Sequence, residues 1–343
     1  MTSQRKIELF IPGLFWAEGC RELQGRGQQP IILEKVLARS RCEHLNEIHF
    51  TETLFARFGI LADSCEDLPI GAVSYYGGGG EPGDGCWSLA TPIHLLVDRD
   101  RVILVRPSQQ SFNLEYAEHI AALFNKHFKN EGLRLVLQSQ TDWYLNLDCC
   151  PEIKTSDIEC VAGRHIEEYL PSGKEGYRWR SILNEIQMLF CGNSINEINM
   201  HTNEHVVNGL WLNGFGHLKT AKADYSAVYT DMPLLMGLAK LSGVPCYPIP
   251  DKIDDIFHEG GNVLMLLPGL LQAEMDADFN RWTDALAQID SLFDDLFYQT
   301  NKSNILDKFE IYPCSGRSYS ITSIDFRSRF WRRKKKLSGY ISM

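Results

Sequence analysis

Three observations predict an α/β fold for this chain. Strand-like and helix-like stretches alternate through its second half, the pattern of helices laid against a sheet. A strand-strand-helix-strand-strand run, ββαββ, occupies a stretch before the middle. The composition, 44% apolar and 23% charged over 343 residues, is that of a globular chain long enough for two domains or one large one.

Taken in order, residues 6–11 read as a short buried strand that stops at Pro12-Gly13. Arg5 and Lys6 ahead of an apolar run mimic a signal peptide, but Glu8 and Pro12 interrupt it and no small-residue cleavage site follows. Helical patterns follow around residues 31–37 and 45–58. Gly77-Gly78-Gly79-Gly80-Glu81-Pro82-Gly83-Asp84-Gly85 is a turn-rich link, so residues 1–85 are taken as the first part of the α/β core. Residues 93–97 and 102–105 flank the turn Asp98-Arg99-Asp100-Arg101 as a hairpin. A helix over 114–128, with Tyr116, Ile120, Leu123 and Phe124 at helical spacing, precedes alternating strands at 133–137 and 143–147, which completes a subdomain over 86–148.

Residues 149–175 look irregular, with Pro151, Pro171 and Gly173, and open the remainder of the core, 149–325. There the pattern gives a helix at 177–191, strands at 207–212 and 226–230, a helix at 233–241, a strand at 262–267 and a helix at 276–298. Phe279, Trp282, Leu286, Ile289, Phe293 and Leu296 step by three and four along the last helix, as a core-facing stripe does. A closing hairpin joins Phe309-Glu310-Ile311 to Tyr319-Ser320-Ile321. Residues 326–343 form a basic tail in which Arg327, Arg329, Arg332, Arg333, Lys334, Lys335 and Lys336 surround Phe326, Phe330 and Trp331. A solvated helix with its aromatics packed onto the domain is the expectation there, and a nucleic-acid contact is the alternative.

The net charge of −10 disfavours nonspecific nucleic-acid binding by the body of the protein, because phosphate backbones reward clustered cations. Apolar stretches fall short of the roughly 20 residues a spanning helix needs, so the expectation is a soluble cytoplasmic protein. The ten cysteines are irregularly spaced and lack a CxxC pair, which reads as reduced thiols.

Few motifs carry chemistry. His201-Thr202-Asn203-Glu204-His205 matches the HxxEH pattern of inverted zinc peptidases, but Asn193, Asn196, Asn199, Asn203 and Asn208 around it make a poor helix and favour a polar link. Gly214-Phe215-Gly216 follows a strand as a dinucleotide fingerprint would, yet Lys219 holds the third glycine position. Neither a phosphate-binding GxxxxGK[ST] loop nor a GxSxG nucleophile elbow occurs.

The strongest site candidate is the stretch 177–216. Trp179, Ile182, Leu183, Ile186 and Phe190 form one helical stripe, and Arg180, Asn184 and Gln187 form a polar stripe beside it. The expected ligand site has that polar wall, with Trp211, Asn213, Gly214 and Gly216 at an opposing strand end and Asp231 nearby. The competing expectation is that these groups satisfy one another in a buried network.

Several passages, in order, resemble the bacterial family named for regulator of pathogenicity factors, E type, some relatives of which are labelled cofactor-independent phosphoglycerate mutase. They are Phe10-Ile11-Pro12-Gly13-Leu14-Phe15-Trp16, Pro92-Ile93-His94-Leu95, Trp143-Tyr144-Leu145, Leu183-Asn184-Glu185-Ile186-Gln187-Met188, Asn208-Gly209-Leu210-Trp211-Leu212-Asn213-Gly214-Phe215-Gly216 and Phe330-Trp331-Arg332-Arg333. The family pattern has a glycine triplet where this chain reads Asn213-Gly214-Phe215-Gly216.

The resemblance implies an alkaline-phosphatase-like central sheet, and its mutase label implies two divalent metals and a phosphoryl-carrying serine. Against the metals, the first strand ends in Pro12-Gly13 and no DxxGH-like ligand cluster occurs, which leaves Asp231, His217 and His258 near strands. The expectation is therefore a regulatory or ligand-binding protein on a phosphatase/mutase-like scaffold, without a complete metal site or cofactor, whose partner is a small phosphorylated metabolite. The alternative is an active mutase-like enzyme with divalent metal. Oligomeric state is left open by the sequence.

Overall fold

A computed structural model describes residues 5–26, 29–45, 49–63, 66–99, 101–107, 113–192, 206–250, 260–303 and 308–341. Its strands are β1 (Lys6–Phe10), β2 (Arg41–His44), β3 (Cys86–Asp98), β4 (Arg101–Val105), β5 (Leu133–Leu137), β6 (Trp143–Leu147), β7 (Ile153–Lys154), β8 (Ser172–Gly173), β9 (Gly209–Gly216), β10 (Ala227–Tyr229), β11 (Cys246–Tyr247), β12 (Val263–Leu266), β13 (Lys308–Tyr312) and β14 (Arg317–Thr322). Two compact units result, one from residues 1–59 with 221–343 and the other from 60–220.

The first unit is built on a sheet of order β11-β10-β12-β1-β13-β14-β2. The five strands from β11 to β13 run parallel, and β14 and β2 each pair antiparallel to their neighbour. Side chains alternate across a strand, so Ile7, Leu9, Val263, Met265, Phe309 and Ile311 share one face. That face is buried with residues of the helices Ala17–Arg26, Ile31–Arg39, Gly269–Met275 and Phe279–Ser303. All six residues of the expected stripe on the last helix are buried there, with Trp282 and Phe293 fully enclosed. The chain leaves β1 through Gly13, at φ +79°, where a Cβ would stand 2.6 Å from the Leu271 backbone nitrogen.

The opposite face holds charge. Lys6 Nζ lies 2.7 Å from both Glu8 and Glu310, Lys308 Nζ lies 2.6 Å from Glu310, and Arg57 Nε lies 3.1 Å from Glu8. Buried carboxylates persist when paired in this way. Burial alone would raise the Glu310 carboxyl, but hydrogen bonds from Lys308, Lys6 and Tyr312 outweigh it and hold the group down at about 2.

The second unit carries the expected ββαββ segment as β3, β4, the helix Leu114–His127, β5 and β6. Its five-stranded sheet has the path β4-β3-β6-β5, with β9 also paired to β3. Here the structure differs from the sequence expectation, which assigned 207–212 to the larger core. The strand runs over Gly209–Gly216 and lies antiparallel to β3, because Leu210, Leu212 and Phe215 complete the apolar layer formed with the helices Leu114–His127 and Gly176–Cys191. The helix Ile70–Gly77 contributes Tyr75, which stacks on Trp87 at 4.0 Å. Gly214, at φ +71°, brings its backbone against Ile70, where a Cβ would stand 2.5 Å from that side chain.

One correction concerns the thiols. Cys86 and Cys150 form a disulfide, because the antiparallel pairing of β3 and β6 sets Cys86 opposite Leu147, three residues before Cys150. The reading of all ten cysteines as reduced does not hold for this pair. The HxxEH residues His201, Glu204 and His205 lie outside the described residues, as does His258. Among the described residues, no helix is long and apolar enough to cross a membrane.

Candidate functional site

A concave site forms at the edge of the larger sheet. In the β14–β2 register Arg317 stands opposite His44 and Tyr319 opposite Cys42. Two-residue periodicity therefore sets these four side chains on one face, continuous with the buried face that ends in Tyr319 and Ile321. The C-terminal segment closes over them. Leu337 and Tyr340 are buried at 1% and 6% exposure, while Arg332, Arg333 and Lys335 stay exposed around the opening. The resulting cavity measures about 540 Å³, is floored by Leu37, Ala38 and the two tyrosines, and has no carboxylate among its described lining residues.

Some of its cations are fixed. Arg317 donates from Nη1 to the Tyr340 carbonyl at 3.1 Å, and Arg332 donates to the Ser40 carbonyl at 3.0 Å. These contacts orient each guanidinium without neutralising it. The tyrosines are held by aromatic packing: Tyr340 stacks on Phe15 at 5.8 Å and meets Tyr319 edge-on at 5.9 Å. Burial pushes the Tyr319 hydroxyl up to about 12, with nearby Cys42 adding to the rise and Arg317 opposing it. Burial raises Tyr340 as well, so both remain protonated donors at neutral pH. The Tyr340 hydroxyl is enclosed and finds no hydrogen-bond partner among the described residues. Four cations, two protonated hydroxyls and, among the described residues, no carboxylate make a receptor for an anion that also offers apolar surface.

The sequence-expected site is distributed differently. Arg180 and Asn184 are exposed on the Gly176–Cys191 helix and Gln187 is half-buried, with Arg180 Nε donating to the Pro171 carbonyl at 2.8 Å. The inner stripe of that helix packs with Leu210, Leu212 and Phe215, whereas Trp211 belongs to a separate cluster with Ile93, Leu104 and Val161. Trp211 Nε1 donates to the Ser156 carbonyl at 2.8 Å, and Asn213 Nδ2 donates to Asp157 at 3.1 Å. Gly214 N–H donates to Thr155 Oγ1 at 3.2 Å, and Phe215 N–H donates to Asp67 at 3.3 Å. Asp67 also accepts from the Thr155 backbone and hydroxyl. Burial raises the Asp67 carboxyl, and these hydrogen bonds oppose the rise. Trp211, Asn213 and Gly214 thus hold residues 155–157 to the sheet. Gly216 ends β9 half-buried, and Asp231 is exposed after β10 in the other unit.

A two-metal phosphoryl-transfer centre would draw several oxygen or nitrogen ligands from the carboxyl ends of parallel strands. Among the described residues those ends carry Ile11-Pro12 after β1, Asp231 after β10, Pro248-Ile249-Pro250 after β11, Leu267-Pro268 after β12 and Pro313-Cys314 after β13. Among the described residues this donor set does not fit a metal pair.

No known family model matches the chain, and no curated protein is similar to it. The structure of the PH0037 protein from Pyrococcus horikoshii is similar over 98% of this chain and 92% of its own, at 14% identity and a TM-score of 0.50. That likeness is one of fold. A cofactor-independent phosphoglycerate mutase from Thermoplasma acidophilum aligns over 94% of this chain and 89% of its own, at 13% identity and a TM-score of 0.38.

Proposed function

We propose that this chain is a regulatory ligand-binding protein on a scaffold of the alkaline-phosphatase and mutase type, and that it takes a small phosphorylated metabolite in the cavity at the sheet edge. The reading moves the ligand from the helix 176–191 region to the β14–β2 edge. What supports it is the convergence of Arg317, Arg332, Arg333 and Lys335 on a cavity that, among the described residues, holds no carboxylate and no partner for the Tyr340 hydroxyl. Phosphate oxygens satisfy guanidinium and hydroxyl donors together, and the tyrosine rings offer a face to the organic part of the ligand. A volume of about 540 Å³ is of the size that encloses a nucleotide-sized molecule.

Thermal unfolding with ADP, inorganic pyrophosphate or adenosine tests this. ADP should raise the midpoint most, pyrophosphate less and adenosine little, because a ligand that prefers the native state stabilises it by mass action. An unchanged midpoint at millimolar ADP would remove the proposal.

A second reading rests on one observation: Phe330 and Trp331, 72% and 65% exposed, sit beside Arg332 and Arg333. Exposed aromatics among cations suit stacking on single-stranded nucleic acid. Deleting the tail is no test, because Leu337 and Tyr340 belong to the core. The variant Phe330→Ala/Trp331→Ala should abolish binding of a single-stranded oligonucleotide if this second reading holds, while leaving ADP binding in place.

A further inference from the structure

The second unit contains a cluster of metal-ligating groups. Cys86 opens β3, Cys150 follows β6, and His217 follows β9, so three strand ends deliver them to one place. The registers explain the meeting: Cys86 pairs with Leu147, and Trp87 pairs with Gly216. Both sulfurs and a His217 ring nitrogen lie within 4.8 Å of one another. Cys86 is buried, Cys150 half-buried and His217 exposed, so the group is open on the imidazole side. His217 Nδ1 lies 3.1 Å from the Gly85 carbonyl. A carbonyl only accepts, so Nδ1 carries the proton and the ring keeps a lone pair on Nε2, and a backbone carbonyl commonly steadies a ligating histidine in this way.

We propose that Cys86, Cys150 and His217 are a redox-controlled zinc site, closed as a disulfide when oxidised and ligating when reduced. Two sulfurs and one imidazole nitrogen suit zinc and fit poorly with magnesium or calcium, which prefer oxygen. Three protein ligands leave the fourth position to water on the exposed side.

A cellular dithiol supplies two electrons and two protons to the Cys86–Cys150 bond and becomes a disulfide itself. The S–S bond breaks and two thiols remain. Zinc then binds both sulfurs as thiolates, releasing two protons to solvent, with the neutral imidazole as third ligand. A disulfide oxidant takes two electrons from the thiolates and two protons from solvent, becomes two thiols, and leaves the Cys86–Cys150 bond re-formed and the metal expelled.

The full chain, reduced with a phosphine and desalted without oxygen, should retain one equivalent of zinc. Cobalt(II) in its place should show a thiolate-to-metal charge-transfer band. His217→Ala and Cys150→Ser should each lose that equivalent and that band, and the oxidised chain should retain no zinc. Because His217 is exposed, oxidised His217→Ala should unfold at the midpoint of the oxidised parent, which separates ligand loss from misfolding. Zinc retention that is absent from the reduced parent, undiminished in either variant, or equal in the oxidised chain would overturn the proposal.

Discussion

Replacing Tyr340 with phenylalanine separates a structural role from a binding role by sign. The change deletes one hydroxyl and leaves the stack on Phe15 in place. In the free protein that hydroxyl is buried without a partner among the described residues. Such a group costs about 1–3 kcal/mol, so its removal should stabilise the chain. For a unit of this size about 1 kcal/mol moves the midpoint by ~2–4 °C, so the expected rise is on the order of 2–10 °C. Binding should move the other way. A hydrogen bond to a charged phosphate contributes about 1.5–3 kcal/mol, so the dissociation constant for ADP should rise roughly ten- to hundredfold. Circular dichroism read against temperature gives the first quantity and calorimetric titration the second. A lower midpoint together with an unchanged ADP affinity would show that the hydroxyl is satisfied within the fold and faces no ligand, which refutes the reasoning.

Arg333→Ala and Lys335→Ala, both at exposed positions, should leave the midpoint within about 1–2 °C and weaken ADP binding, as titration would show. Glu34 is buried, accepts from Leu337 N–H at 3.2 Å, and burial raises its carboxyl despite that bond and Lys334. The folded state therefore holds the proton more tightly, and stability falls as pH rises from the unfolded-chain value through the raised folded one. Glu34→Gln should accordingly raise the midpoint at pH 7 and converge with the parent in acid. Glu310 has the opposite sign: with its carboxyl held down at about 2, its contribution is complete above the unfolded value of about 4.3 and disappears as pH falls from there toward about 2. Denaturant titrations across that window should show the parent losing stability that Glu310→Gln never had. Leu286→Ala, in the fully packed stripe, should cost about 2–5 kcal/mol by chemical denaturation.

Local periodicity made much of this fold legible. The strands β4 to β6, the helix Leu114–His127 and the stripe from Phe279 to Leu296 lie close to where alternation and helical spacing put them, whereas β3 begins at Cys86, well before the expected 93–97. What the sequence could not show is partnership between distant segments. An eight-residue strand such as β9 looks the same whether it joins one sheet or the other, and only the partner surface of β3 decides. The Cys86–Cys150 bond was hidden for the same reason, since 64 residues separate groups that a strand register brings together.

The cavity was half legible. Arg332, Arg333 and Lys335 stand out as a basic tail, whereas Tyr319 reads as an ordinary member of a closing hairpin and Arg317 belongs to no motif. Their alternation gave them a shared face. No local signal named β2 as their neighbour, and residues 41–44 were too short and polar to read as a strand. Arg180 and Asn184 are exposed, and a polar stripe bordering an apolar one also describes a helix whose polar side faces water.

The most direct measurement is calorimetric titration of ADP into the full chain and into Arg333→Ala/Lys335→Ala, each at low and high salt. The account predicts one saturable site in the parent that weakens with salt and is lost in the double variant. Absence of saturable binding up to millimolar ADP, or binding that the double variant keeps intact, would contradict it.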